Sequence, residues 1–205
     1  IILVGFKLRR VAFLTIYTDA AEPEQLLATD DATEIAAQLG ELGVAYTQWP
    51  VVADLPSDAP ADDVLAAYAG PIAELREREG YVAIDVAGLH PSDDPAWAET
   101  AAAARQKFLA EHTHADDEVR FFAAGSGIFY LHVGDRVYAV LGERGDLLSV
   151  PAETTHWFDM GTRPDFTAVR FFKDPEGWVG AFTGDPIAER IPDFDTIVAQ
   201  RPAAD

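Results

Sequence analysis

One short run constrains this chain more than any other: His112-Thr-His114-Ala-Asp-Asp-Glu118-Val-Arg120, answered further along by a lone His156. Three imidazoles and one carboxylate make a four-ligand set for a divalent transition metal. Imidazole suits iron, nickel, copper and zinc, and an added carboxylate shifts the preference toward metals of intermediate hardness. The spacing has a physical reading, because residues two apart in a strand share a face. His112, His114, Glu118 and Arg120 have the same parity, so a strand path, even one broken by the Ala-Asp-Asp turn, aims all four inward. His156 must then arrive from another strand of the same sheet.

From Glu118 onward the pattern is that of a β structure. Val119–Phe122, Gly127–Val133, Arg136–Leu141, Asp146–Val150 and Phe166–Lys173 are predicted strands, separated by turns at Gly125-Ser-Gly127, Gly134-Asp135, Gly142 to Gly145 and Gly161. Short strands at close spacing predict an antiparallel sandwich or barrel. The segment before them is mixed. Val11–Tyr17 reads as a first strand. Asp31 with Glu34 resembles a capping box, Ile35, Leu39 and Leu42 recur at helical spacing, and Gly43 stands where that helix should stop. Val44–Trp49 follows as a strand, and the prolines of 50–62 mark a surface connection. A helix from about Asp62 is expected to break at Gly70-Pro71 and to end at Gly80, before a strand over Tyr81–Ala87. Asp94-Pro95 caps a further helix whose Trp97, Ala101, Ala104 and Phe108 form one stripe running almost into His112. The tail after Asp174 is rich in proline and glycine, with a helical stretch near Asp193–Gln200. Without a repeat or a low-complexity linker, the expectation is one domain over 1–205: an N-terminal mixed part (1–80), a β core (81–180) and a C-terminal tail (181–205).

Composition excludes several function classes. Hydrophobic residues make up 49% of the 205, which argues for a full core and against disorder. No run of eighteen apolar residues predicts a membrane span. The opening IILVGFKLRRVAFLTIY mixes apolar and basic residues without the order of a signal segment, so residues 1–10 read as an addition ahead of the first strand. The absence of cysteine excludes disulfides, zinc ribbons, iron–sulfur clusters and thiol catalysis, and makes the cytoplasm the expected compartment. A net charge of −20 repels nucleic-acid phosphates and anionic membranes. The expected partner is therefore a small molecule, with no nucleic acid and no membrane, and the expected state is a monomer.

Two patterns together resemble the cupin superfamily. One is His112-x-His114-x-x-x-Glu118 with Gly125 beyond it; the other is Gly145-x-x-x-x-x-Pro151 followed by His156. The chain departs from the pattern in having no glycine six residues before His112, and Glu153 where a glycine follows the proline; neither touches a ligand. The resemblance implies a mainly β fold, a cupin-type antiparallel β-barrel (jelly roll), here with N-terminal helices and strands packed around it. It then narrows. KFLAEHTHADDEVRFFAAGSGIFYLHVGDRVYAV, continued by GDLLSVPAETTHWFDMG, resembles the acireductone dioxygenase family in its bacterial form, over most of residues 81–180. Residues 11–80 fit the family more loosely.

That resemblance implies a metal held by His112, His114, Glu118 and His156, with two neighbouring positions open. The implied substrate is acireductone, 1,2-dihydroxy-5-(methylthio)pent-1-en-3-one, an enediol ketone of methionine salvage that chelates through two oxygens and reacts with O2. With Fe(II) the family yields formate and 4-methylthio-2-oxobutanoate; with Ni(II), the alternative metal, it yields formate, carbon monoxide and 3-(methylthio)propanoate. No organic cofactor is implied. Arg120 matches an arginine that binds the substrate anion, and Phe108, Phe158 and Trp178 match aromatic residues lining the thioether end. Plainer readings stand beside these. The shell could be tetrahedral zinc, Arg120 could pair with a nearby carboxylate, and Phe108, Phe158 and Trp178 could be plain core. Asp116 and Asp117 could orient the ligand imidazoles or form a solvated turn. His132 reads as surface or packing, and His90 is assigned no role. A non-catalytic cupin binding a small ligand, or an isomerase-type or oxalate-cleaving cupin, is the competing class. The full ligand set, the lack of a basic recognition helix, and the Glu-Val-Arg-Phe and His-Trp-Phe-Asp-Met-Gly contexts favour the dioxygenase.

Overall fold

The computed structural model describes residues 12–52, 54–174 and 179–201. The first half supplies β1 (Phe13–Thr18), β2 (Gln25–Thr29), α1 (Ala32–Gly40), β3 (Ala45–Gln48), α2 (Ala61–Ala67), α3 (Ala69–Glu79), β4 (Ala83–Leu89) and α4 (Trp97–Leu109). The second supplies β5 (His112–Thr113), β6 (Glu118–Val133), β7 (Arg136–Glu143), β8 (Asp146–Val150), β9 (His156–Asp159), β10 (Phe166–Phe172), β11 (Ala181–Phe182) and α5 (Phe194–Gln200). Residues 1–11, including the start of the expected first strand, lie outside the described residues. Among the described residues, no helix is long and apolar enough to cross a membrane.

Local chemistry explains several boundaries. Asp31 caps α1, its Oδ1 accepting from the backbone N–H of Thr33 and Glu34 at 2.8 and 3.0 Å, and the helix buries Ile35 and Leu39. The break expected at Gly70-Pro71 falls earlier, at Tyr68. Pro71 sits in the first turn of α3, where a missing N–H leaves no helical bond unmade. The stripe on α4 is present, with Ala101 buried and Trp97, Ala104 and Phe108 half-buried.

The strands pair antiparallel into two sheets that share β6, giving the cupin-type fold. One runs β3–β8–β6–β10–β4; the other runs β11–β5–β9–β6–β7–β1–β2. The first half of β6 pairs with β8 and β10, the second half with β7 and β9. Gly125-Ser126-Gly127, expected to be a turn between two strands, is instead a bend inside one. Phe122 faces the inter-sheet core before the bend; after it, Phe129 and Leu131 do. The inward parity therefore switches from even to odd along β6, and the register with β10 slips at Ala123, between the pairs Thr167–Ala124 and Ala168–Phe122, as an extra residue in one strand produces.

Burial is two-sided. The inter-sheet core joins Leu14, Ile16, Phe122, Phe129, Leu131, Val140, Leu148, Val150, Phe158 and Phe166. The outer face of the first sheet (Val119, Phe121, Val169, Phe171) is covered by Val64, Tyr68, Ile72 and Leu75 of α2 and α3. The outer face of the other (Ile128, Tyr130, Val137, Trp157) is covered by Ile187, Ile191 and Ile197 of the tail. Covering both faces is why β6 reads as a continuous apolar run rather than an alternation.

Gly125 is the most constrained point of the bend. Its φ is 63°, and a Cβ there would stand 1.8 Å from the Asp165 carbonyl oxygen. Gly125→Ala should therefore cost roughly 2–5 kcal/mol, combining left-handed strain with overpacking against backbone. A urea midpoint unchanged from the parent would contradict this.

Candidate metal centre

The bent strand and its neighbours bring the sequence-predicted ligands together. Glu118 and Arg120 lie at the start of β6, His112 on β5 pairs across to His156 on β9, and His114 lies between β5 and β6. All five residues are buried. One ligand atom each from His112, His114, Glu118 and His156 fall within 4.8 Å of one another.

The imidazoles are oriented by backbone carbonyls. His112 Nδ1 faces Ala110 O at 2.7 Å, His156 Nδ1 faces Thr154 O at 2.6 Å, and His114 Nδ1 faces Val179 O at 3.0 Å. A carbonyl only accepts, so each Nδ1 carries the hydrogen and each neutral ring keeps its lone pair on Nε2. The Nε2 atoms of His114 and His156 both stand 3.0 Å from Glu118 Oε2. Ring lone pairs and a carboxylate oxygen converge, acceptors facing acceptors, which is a donor set that a divalent cation satisfies.

The electrostatics agree. Burial alone would raise the Glu118 pKa, yet Arg120 beside it and the His114 and His156 contacts hold the carboxyl well below the usual carboxylate range. Burial lowers His112 and keeps it neutral. For His114 burial works in the same direction, but Glu118 outweighs it and the pKa is raised, so this point attracts positive charge. The Nδ1 partners of the imidazoles are the backbone carbonyls, and the contacts of Asp116 and Asp117 run to Lys173 and Ala152. Asp116 Oδ2 accepts from Lys173 N–H, and Asp117 accepts from Ala152 N–H and pairs with Lys173 Nζ at 2.6 Å.

Arg120 is paired with a carboxylate and faces the site at once, because the carboxylate is Glu118: Nη2 lies 2.7 Å from Oε1. Its guanidinium carbon sits 4.5 Å from the ring centre of Phe158, 5.1 Å from Phe129 and 5.7 Å from Phe108. The ligands open onto a cavity of about 400 Å³, which Phe108, Arg120 and Phe158 line. Trp178 lies outside the described residues.

Sequence reasoning missed other lining residues: Ile84, Asp85, Lys107, Arg170, Phe172 and Phe182. Arg170 stands opposite Arg120 across β10 and β6, and opposite Asp85 across β10 and β4. It grips Asp85 through Nε at 2.8 Å and Nη2 at 2.6 Å. The signal was parity, since Phe166 and Ala168 on the same strand face the core. His90, assigned no role, bridges Asp165 Oδ1 and Thr167 Oγ1 at 2.8 and 2.9 Å. His132 is neither free surface nor plain packing: its Nδ1 contacts the buried Glu111.

The model of the ARD/ARD' family matches residues 14–180 of this chain. The acireductone dioxygenase of Frankia alni is 57% identical over 194 residues, 95% of this chain and 94% of its own length. That of Saccharopolyspora erythraea is 53% identical over 191 residues, 93% of this chain and 100% of its own. A solved acireductone dioxygenase from Bacillus anthracis, with a cadmium ion in its active centre, superposes with a TM-score of 0.71 at 30% identity, covering 85% of this chain and 99% of that one.

Proposed function

The chain belongs to the ARD/ARD' family and is an acireductone dioxygenase, and from that premise we propose that His112, His114, Glu118 and His156 hold its metal while Arg120 binds the substrate anion. The observation that carries this reading is the ring orientation: all three Nδ1 atoms are turned to carbonyls, the Nε2 atoms of His114 and His156 stand 3.0 Å from Glu118 Oε2, and one ligand atom of each of the four residues lies within 4.8 Å of the others. A divalent metal held there supplies Lewis acidity toward a chelating enediol and access to O2 chemistry. Three neutral imidazoles and one carboxylate leave the loaded site with a net charge of about +1 from formal charges, which suits an anionic chelator. Arg120 adds a fixed cation on the same side, its guanidinium set by Glu118 and the surrounding rings. Phe108, Phe158 and Trp178 are the proposed contacts of the thioether end, with the first two also stacking on Arg120.

The proposed metal is Fe(II), with Ni(II) as the alternative, and the proposed setting is methionine salvage in the cytoplasm by a monomeric, one-domain enzyme. These finer points rest on the family reading. The cadmium in the Bacillus anthracis relative supports a metal site of this kind without choosing the ion. Apoprotein reloaded with each metal and given acireductone and O2 tests the choice. The iron form should give formate and 4-methylthio-2-oxobutanoate without carbon monoxide. The nickel form should release carbon monoxide, detectable by gas chromatography. Turnover of the nickel form with no carbon monoxide would overturn the dual-product reading.

A further inference from the structure

Behind the metal centre, on the opposite face of the same strands, lies a polar cluster that the reading above does not use. Glu111 precedes His112 in the chain and is 3% exposed. Both of its carboxylate oxygens are engaged: His132 Nδ1 stands 2.6 Å from Oε1, and the Thr183 hydroxyl donates to Oε2 at 2.6 Å. The Glu111 carbonyl also accepts from Thr183 N–H at 3.1 Å. His132 Nε2 in turn lies 3.6 Å from Asp19 Oδ2.

The three partners come from separate parts of the metal-bearing sheet. Glu111 abuts β5, His132 is on β6, and Thr183 directly follows β11. The sheet order β11–β5–β9–β6 places β9, and with it His156, between the strands of Glu111 and His132. The Glu111–His132 contact therefore reaches over β9 and ties the strand ends that carry His112 and His156.

Backbone pairing alone holds this edge lightly. β5 and β11 are two residues each, and β5 meets β9 at the single register pair His112–His156. The segment from Val179 to Thr183 nonetheless does work at the centre. Val179 O accepts from His114 Nδ1, and the Phe182 ring lies 5.6 Å from the His112 ring. Hydrophobic burial does not fasten this segment, since Val179 is 78% and Phe182 64% exposed. A segment with little buried apolar surface opens at low cost unless something else anchors it. The Thr183–Glu111 contacts are the anchor at its C-terminal end.

We propose that Glu111 is a positioning residue for the metal centre: gripped by His132 and Thr183, it sets His112 and holds in place the segment whose Val179 carbonyl orients His114. The proposal rests on the ligand assignment made above. Its mechanism is the fixing of ring orientation and ligand basicity by outer partners, whose loss in metal sites commonly changes affinity or activity 10–100-fold.

The test uses the full chain loaded with Co(II), whose d–d absorption reports ligand geometry, and compares the parent with Glu111→Gln, Thr183→Val and the double variant. Glu111→Gln keeps the side-chain shape. Thr183→Val removes one hydroxyl from an exposed segment, so it gives the same readouts should Glu111→Gln fail to fold. Each single variant should shift the Co(II) bands, weaken Co(II) affinity about tenfold and lower kcat of the native-metal enzyme about tenfold, with KM little changed. The double variant should lose no more than Glu111→Gln alone, because Thr183 acts through Glu111. Native bands, native Co(II) affinity and native kcat with only a lowered Tm would overturn the proposal alone. A His112→Ala protein that holds Co(II) with parental bands would overturn the ligand assignment and this proposal with it.

Discussion

Replacing His112 with alanine should abolish metal retention and turnover together. His112 is one of four donors whose ligand atoms lie within 4.8 Å of one another, and it sits at the single register pair joining β5 to β9. Its loss leaves two imidazoles and a carboxylate, and no neighbouring side chain in the set replaces the missing donor. Glu118→Gln should also be severe, for a different reason. The amide keeps the shape but removes the only anion of the set, so a bound divalent ion keeps its full charge in a buried site. Arg120, whose guanidinium lies 2.7 Å from Glu118 Oε1, would lose its ionic partner in the same change, and breaking a buried pair typically costs about 3–5 kcal/mol. Equilibrium dialysis against a chelator, followed by metal analysis, measures both variants. Full metal content with full turnover in His112→Ala would remove His112 from the set.

Three of the four residues gathered at the candidate centre were legible in the sequence because their spacing is local. His112, His114, Glu118 and Arg120 share one parity, and the glycine and proline around Gly125 and Pro151 mark where the strands turn or bend. Two of the orienting contacts are local as well, since His112 and His156 each reach the carbonyl two residues earlier. The third is not: His114 is oriented by Val179, sixty-five residues away, just ahead of a two-residue strand too short to show any periodicity. The cations around the cavity were hidden for a similar reason. Arg170 and Arg120 meet only because β10 pairs with β6, and nothing near Arg170 in the chain announces that register. Glycine density misled at Gly125-Ser126-Gly127, where a close approach to the Asp165 backbone, and not a chain reversal, is what requires the glycine. The buried acid Glu111 was overlooked because its partners are distant in sequence: His132 reaches it from across β9, and Thr183 from beside the two-residue β11.

Arg120→Ala should leave a folded protein whose turnover falls by a factor of about ten to one hundred, the equivalent of losing a charge-assisted contact of roughly 1.5–3 kcal/mol. Arginine does not ligate a cation, yet it lines the cavity with the ligands and is buried beside them. Burial works to lower its pKa, and the adjacent Glu118 opposes that; the guanidinium stays cationic in any case. A planar fork of donors facing a chelated anion strengthens its hold as negative charge builds on the reacting atoms, so the loss should fall on kcat as well as KM. One feature separates this from a purely structural pair. Glu118 Oε2 faces His114 and His156 while Oε1 faces Arg120, so the metal-side oxygen remains in place in the variant and metal content should stay high. The three rings around the guanidinium would lose packing and the buried Glu118 would lose its ionic partner, so a drop in Tm is also expected. Arg120→Lys sharpens the result: it restores a positive charge without the fork, and should recover stability more than turnover. Metal content, Tm and steady-state rates measured on one preparation of each variant decide the matter. A metal-loaded Arg120→Ala enzyme with parental kcat and KM would confine Arg120 to holding Glu118.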